Sequence, residues 1–230
     1  MTTFVVAIDG GAGSGKSTTA KGVAQRLHFF YLDTGAMYRA FTLKYLQYRD
    51  SEHISATIDI ETVNILLTKT AIDLRQENFE NHVYLNGNDV TVDIRTSRVS
   101  SFVSQVSAIP EVRRWMVQQQ REIAVGKNVV CEGRDIGTIV FPDAQVKIFM
   151  TADLRVRAQR RQKELAEQHG ESRFEDVLKN LQFRDNYDST RTHSPLKKAR
   201  DAIVLDTTHL TIEEEIAAVE NIVRERLHHQ

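Results

Sequence analysis

The chain predicts a three-layer α/β fold built on a five-stranded parallel sheet, and three observations carry that reading. Five short apolar runs alternate with helical patterns along the 230 residues. Each run ends in a polar segment, the end at which ligands gather in such sheets. The first run leads straight into Gly10-Gly11-Ala12-Gly13-Ser14-Gly15-Lys16-Ser17, which fits the phosphate-binding pattern G-x-x-x-x-G-K-[ST] without a mismatch.

Taken in order, Phe4 to Ile8 is a β-branched apolar run suited to a strand buried on both faces. The glycines that follow let successive N–H groups converge on phosphate oxygens. A helix from Ser17 to Leu27 presents Ala20, Val23, Ala24 and Leu27 on one face, and its start adds a positive dipole end. Lys16 would reach β- and γ-phosphates, and the Ser17 hydroxyl would join a Mg²⁺ coordination sphere. Phe29 to Leu32 is a second strand, ending at Asp33-Thr34-Gly35-Ala36. A helix follows from about Met37 to Tyr48, and a shorter one from Ile60 to Leu67 after the polar stretch Arg49 to Asp59.

The period then changes. Residues 71–75, 82–87 and 89–94 alternate apolar and polar side chains, with the turn signal Asn86-Gly87-Asn88-Asp89 between the last two. This predicts a small antiparallel sheet inserted into the α/β chain. Helices are expected from Ser97 to Ile109 and again from Pro110, the latter burying Val112, Trp115, Met116 and Ile123. Asn128 to Cys131 is the third parallel strand, ending in Glu132-Gly133-Arg134-Asp135. Val146 to Met150 is the fourth, followed by a helix cap at Thr151-Ala152-Asp153. An arginine-rich segment from Leu154 to Asp201 precedes the fifth strand, Ala202 to Asp206. The last helix runs from Ile212 to Leu227, with His228 and His229 as a solvated tail.

Composition narrows the class. A formal net charge of -1 gives no basic field for nucleic acid or a membrane surface. The first apolar run is broken at Asp9 and has no basic stretch before it, so it does not read as a signal peptide. The single cysteine, Cys131, reads as a small core residue in a reducing, cytoplasmic protein, and a monomer is the default expectation. Neither an N-K-x-D nor a D-x-x-G motif is present, which excludes a switch GTPase. A small-molecule kinase needs arginines for a second phosphate, and Arg39, Arg113, Arg134, Arg157, Arg160, Arg161, Arg184 and Arg191 supply them. Arg155, Arg173 and Arg200 read instead as a solvated face. A nucleotide-responsive binding protein without turnover is the alternative outside enzymes.

Beyond the phosphate-binding loop, the chain resembles bacterial cytidylate kinases over nearly its whole length. The matching stretches are Leu32-Asp33-Thr34-Gly35-Ala36-Met37-Tyr38-Arg39, Ile94-Arg95-Thr96, Ser104-Gln105-Val106-Ser107 and Pro110-Glu111-Val112-Arg113. They continue with Glu132-Gly133-Arg134-Asp135-Ile136-Gly137-Thr138, Arg157-Ala158-Gln159-Arg160-Arg161, and Arg184-Asp185 to Asp188 and Arg191. The inserted antiparallel sheet is typical of that family and absent from adenylate kinases. Two departures stand out: Gly10-Gly11 replaces a frequent Gly-Pro, and the position of Glu132 varies between Asp and Glu in the family.

The resemblance implies a P-loop NTPase fold with core regions 1–35, 110–153 and 202–230, a CMP-binding domain over 36–109 and a helical lid over 154–190. The implied reaction is ATP plus CMP or dCMP giving ADP plus CDP or dCDP, with UMP or another small nucleotide as a second possible acceptor. Gly10, Gly11, Ala12, Gly13, Ser14, Gly15, Lys16, Ser17 and Thr18 would bind ATP with Arg157 and Arg161, and Lys16, Arg134, Arg157 and Arg184 would carry catalysis. Arg39 and Arg134 would hold the CMP phosphate, joined by Thr34. Ser104, Arg113 and Asp135 would meet the cytosine, while Asp188 and Arg184 would bind the ribose with Arg191 holding Asp188.

Overall fold

The computed structural model describes residues 3–52, 58–77, 80–169 and 172–228. Part of the polar stretch (53–57), two residues each of the inserted sheet (78–79) and the lid (170–171), and His229 of the expected tail lie outside them. The five expected strands are β1 (Val5–Gly10), β2 (Phe30–Asp33), β6 (Val129–Gly133), β7 (Val146–Thr151) and β8 (Ile203–Asp206). They pair in parallel in the order β2-β6-β1-β7-β8. Every residue of β1 and β6 is buried, as their uninterrupted apolar runs require.

The alternation of side chains along β1 builds the three layers. Val6 and Ile8 face α1 (Lys16–Leu27) and α8 (Ile212–His228), where Ala20, Val23, Ile216, Val219 and Val223 complete one apolar cluster. Val5 and Ala7 face the opposite side, towards α2 (Thr34–Ser51) and α5 (Pro110–Ala124). Cys131 lies wholly inside this second cluster, where burial raises its thiol pKa well above the usual range, so it packs and does not react.

Helix α2 begins three residues before the expected Met37. The Asp33 carboxylate accepts from Ala36 N at 2.9 Å and so caps the helix at the very end of β2. This puts Thr34 and Arg39 on one continuous helix that starts at the sheet's carboxyl edge. Helix α3 (Ile60–Thr68) follows, and α4 (Ser97–Ser107) ends two residues before the expected Ile109, just ahead of Pro110.

The inserted sheet is real but shorter than its alternation predicts. Strands β3 (Ile72–Glu77) and β4 (Glu80–Leu85) pair over six positions, and β5 covers only Asn88–Asp89. The β4–β5 turn holds Asn86 and Gly87 at φ 51° and 85°, as an Asn-Gly hairpin demands. The expected strand over 89–94 fails because Asp89 turns back on the chain. Its carboxylate accepts from both the backbone N–H and the hydroxyl of Thr91, and the Thr91 hydroxyl oxygen accepts from Val83 N in place of a ladder bond. Val92 is left 82% exposed, and a 3₁₀ turn over Asp93–Arg95 drives Ile94 into the core.

The insert docks on the edge of the main sheet through polar pairs. Asn81 donates to Tyr31 O at 3.0 Å, and Gln76 Oε1 accepts from Tyr31 N at 3.5 Å, which covers the free edge of β2. Beneath it, Val63, Ile72, Val83, Ile94 and Val103 join the same apolar cluster as the sheet. The arginine-rich segment forms two helices, α6 (Leu154–His169) and α7 (Phe174–Thr190), packed through Ala158, Val177 and Leu181. The Asp153 carboxylate accepts from Arg155 N and Val156 N, the cap expected there. Phe41 is fully buried at the centre of the larger cluster, with its ring centroid 6.4 Å from that of Trp115. Replacing Phe41 with Ala should cost about 3–5 kcal/mol in urea unfolding; a loss below about 1 kcal/mol would place the ring outside the stabilising core.

Candidate active site

Two adjoining cavities open at the carboxyl ends of the strands. The larger, about 380 Å³, is lined by Ala12, Gly13 and Gly15 to Thr18 of the P-loop, with Asp33, Arg39, Arg95, Glu132, Arg134, Arg161 and Arg184 around it. The smaller, about 80 Å³, is lined by Thr34, Tyr38, Ser104, Arg113, Asp135, Asp188 and Arg191 among others. Gly35, Arg39, Gly133, Arg134 and Arg184 line both, so the two open onto each other through an arginine-rich boundary.

The loop is shaped by what lies behind it. Gly13 and Gly15 take φ of 74° and 89°, which side chains rarely adopt. A Cβ at Gly15 would lie 2.4 Å from Glu215 Oε2, and one at Gly13 3.0 Å from Arg157 O. Lys16 begins α1 and folds back so that Nζ donates to Gly11 O at 3.1 Å, 3.9 Å from Glu132 Oε2. Ser17 and Thr18 stand exposed at the mouth. The Glu132 carboxylate receives the Tyr31 hydroxyl at 2.7 Å. Burial first, then Asp33, raise its pKa, with Lys16 and Ser17 pulling the other way.

Cations crowd the boundary without enough carboxylates to balance them. Burial holds the Lys16 ammonium down at about 8, with Arg134 next in effect. Arg39 is lowered to about 9 by burial and then by Arg184 and Arg161. Arg184 falls to about 10 by burial and then by Arg134. Three neighbouring cations are thus each destabilised first by lost water and next by another arginine. Such a cluster is tolerable where an anion arrives to neutralise it. Among the described residues Arg184 Nε is buried without a partner, and Arg39 donates to the neutral acceptors Ile94 O and Ser100 Oγ.

The smaller cavity balances charge differently. The guanidinium of Arg113 donates to Asp135 Oδ2, both side chains being about 5% exposed, and Arg113 also lies 5.3 Å from the Tyr38 ring centroid. Arg134 Nε donates to Asp188 Oδ2 at 2.8 Å, and Arg191 approaches Asp188 Oδ1 at 3.7 Å. Burial opposes the Asp188 charge, but Arg134, Arg191 and Arg184 outweigh it and hold its carboxyl below the usual range. Arg113 Nε and Arg191 Nη2 are buried with no partner, so donors are left over for a ligand. The Thr34 hydroxyl donates to Glu132 O at 2.7 Å at the cavity wall.

The structure therefore brings together Lys16, Thr34, Arg39, Ser104, Arg113, Arg134, Asp135, Arg184, Asp188 and Arg191, with Arg161 at the cleft rim. Arg157 lies elsewhere. It sits behind the P-loop, donating to Ala12 O and Ala152 O and pairing with Asp185 Oδ2 at 2.7 Å, in a separate cavity of about 860 Å³. It shares a helix face with Arg161 one turn on, but its guanidinium is held away from the cleft by Ala12 O, Ala152 O and Asp185. Arg160 is likewise occupied, binding Thr207 O and Glu215. Arg155, Arg173 and Arg200 are exposed, as expected. Tyr38 and Arg95 also line the cavities without having been expected there as ligands; both stand in stretches that carry the resemblance, Tyr38 beside Arg39 and Arg95 just past the expected strand.

Comparison with known proteins gives matches over nearly the whole chain. Residues 6–225 match the family model described as cytidylate kinase. A cytidylate kinase of Caldanaerobacter subterraneus is 50% identical over 96% of this chain and 95% of its own length. Those of Cytophaga hutchinsonii and Carboxydothermus hydrogenoformans are 48% and 47% identical, over 96% and 95% of this chain and 94% and 96% of theirs.

The depressed Lys16 pKa gives a sign to the binding of a nucleoside triphosphate. Below about 8 the ammonium is charged, and above it the charge is lost, so affinity should fall from pH 7 to pH 9. Phosphate would restore the charge, so binding near pH 8 should take up protons. Calorimetry in buffers of different ionisation enthalpy measures this; binding without proton uptake would show that Lys16 is already fully charged in the free cleft.

Proposed function

The chain belongs to the cytidylate kinase family, and from that premise we propose how its two cavities divide the work of phosphorylating CMP or dCMP with ATP. ATP lies along the P-loop in the larger cavity, and the acceptor nucleotide is held by the residues that line the smaller one, which must widen to admit it. The observation that carries this arrangement is the shared boundary of Arg39, Arg134 and Arg184, which places cations where the two phosphates must meet.

The acceptor phosphate is mostly dianionic near neutral pH, so the reaction needs no general base. Catalysis is then positioning and neutralisation of a loose phosphoryl transition state, and water exclusion by the lid over 154–190 protects it from hydrolysis. Lys16 and the loop N–H groups hold the β- and γ-phosphates. Arg39 and Arg134 hold the acceptor phosphate, a planar guanidinium meeting two oxygens at once. Arg184 serves the transferring group from between them, and Arg161 closes the rim. Arg157 acts through the loop it braces, and it would reach phosphate only on release from Asp185.

The residues present suit Mg²⁺. Among the described residues no group of three or more His, Cys, Asp or Glu could hold a metal, but Ser17, Asp33 and Glu132 line the cleft. One hydroxyl with carboxylates placed to receive bound water fits an ion that keeps its waters and binds through substrate phosphates. When bound, the ion would neutralise charge on the β- and γ-oxygens.

At the other end, the Asp135 carboxylate accepts from the exocyclic amine of cytosine, while Arg113 and Ser104 offer donors to the ring acceptors. Uracil presents an oxygen where cytosine presents the amine, so Asp135 repels it. Asp188 and Arg184 meet the ribose hydroxyls, with Arg191 fixing Asp188.

Coupled ADP release with MgATP and each of CMP, dCMP, UMP, AMP and GMP tests the proposal. CMP and dCMP should be strongly favoured. Lys16→Ala should lower kcat by about 10²–10³. Asp135→Ala should lower the preference for CMP over UMP by about tenfold or more. Turnover confined to another monophosphate would overturn the base-site assignment, and ATP binding without turnover would overturn the reaction.

A further inference from the structure

The segment after β6 contains a cap that comes from the wrong residue. A π-helical turn spans Ile136–Val140, and Asp135 stands at its N-cap position, yet the Asp135 side chain caps nothing. An aspartate so placed ordinarily turns its carboxylate onto the free N–H groups of the first turn. Here those groups are taken by a distant strand. Asp9, buried on β1, accepts from Ile136 N at 2.7 Å through Oδ1 and from Gly137 N at 2.8 Å through Oδ2.

The rest of the turn is closed by Asp135's own backbone, whose carbonyl accepts from Ile139 N and Val140 N at 2.8 and 3.1 Å. Gly137 allows the close approach: a Cβ there would lie 3.2 Å from Lys147 Cδ and 3.4 Å from Asp9 Oδ2. With both N–H groups satisfied from outside, Asp135 Oδ2 receives the Arg113 guanidinium and its side chain lines the smaller cavity. Asp9 itself lines neither cavity. Burial pushes its carboxyl up to about 6 against the two N–H donors, so near neutral pH it is the ionised, acceptor-only form that meets them.

We propose that Asp9 is a positioning residue for base selection: by capping the turn in place of Asp135, it leaves the Asp135 carboxylate free to read the acceptor base. This rests on the reading of Asp135 as the base-facing group. It makes one strand serve both substrates, since Asp9 directly precedes the first glycine of the P-loop.

Asp9→Asn keeps the size of the side chain but sets an amide NH₂ against one backbone N–H. That N–H then competes for the Asp135 carboxylate. The preference for CMP over UMP, as a ratio of kcat/KM values, should fall about tenfold, chiefly through the KM for CMP, with the KM for ATP held within about twofold. In an Asp135→Ala background, Asp9→Asn should lower the ratio no further. An unchanged ratio in Asp9→Asn while Asp135→Ala lowers it would overturn the proposal alone. So would an equal rise in both KM values, or fully additive losses in the double variant. An unchanged ratio in Asp135→Ala would overturn the base-site reading and this proposal together. In the wild-type protein, scalar couplings across the hydrogen bonds should link the Asp9 carboxyl carbon to the amide nitrogens of Ile136 and Gly137. Their absence would overturn the proposal whether or not any variant folds.

Discussion

Lys16, Arg39, Arg134 and Arg184 stand together where β1 and β6 end, largely out of water, and repel one another. Removing ionised groups from water costs several kcal/mol each, and crowding like charges adds to it. Much of the surrounding structure can be understood as what makes this arrangement bearable. Asp188 takes Arg134 and lies close to Arg191; Asp135 takes Arg113; Asp185 takes Arg157. The balance that remains positive faces the boundary between the two cavities, the place we propose for a phosphoryl group that carries negative charge throughout its transfer.

The apolar architecture was open to view in the residues. Short apolar runs announced the five strands, although the last of them, β8, lies mostly exposed, and the uninterrupted P-loop pattern located the edge where the cavities open. What stayed hidden was decided by side chains folding back on the main chain. Asp33 starts α2 early, and Asp89 with Thr91 ends the inserted sheet early. Alternation alone cannot show such exchanges, because they depend on one carboxylate outcompeting a ladder or a helix for the same N–H group. The placement of Arg157 was hidden for another reason. Helical spacing puts it one turn from Arg161, but only the packing of α6 against α7 decides which of the two faces the cleft.

The inserted sheet has a clear mechanical place. No residue of β3, β4 or β5 lines either cavity, and it holds the edge of β2 through Gln76 and Asn81 and α1 through the Glu80–Lys21 pair. Tyr31, the residue it grips by the backbone, sends its hydroxyl to Glu132 beneath Lys16. The insert therefore braces the strand beside the P-loop cavity, while α2, α4, α5 and α7 supply walls of the smaller cavity.

The bridge between Arg157 and Asp185 spans more than two side chains. Arg157 belongs to α6 and Asp185 to α7, and both lie within 3.0 Å of where a Cβ at Gly11 would sit. The bare glycine thus works as a socket, into which α6 and α7 are plugged as a single unit. A socket of this kind transmits position without storing much energy, since the bridge is partly open to water and screened by salt. The bridge thereby fixes the first turn of the P-loop and both helices relative to one another at a single point.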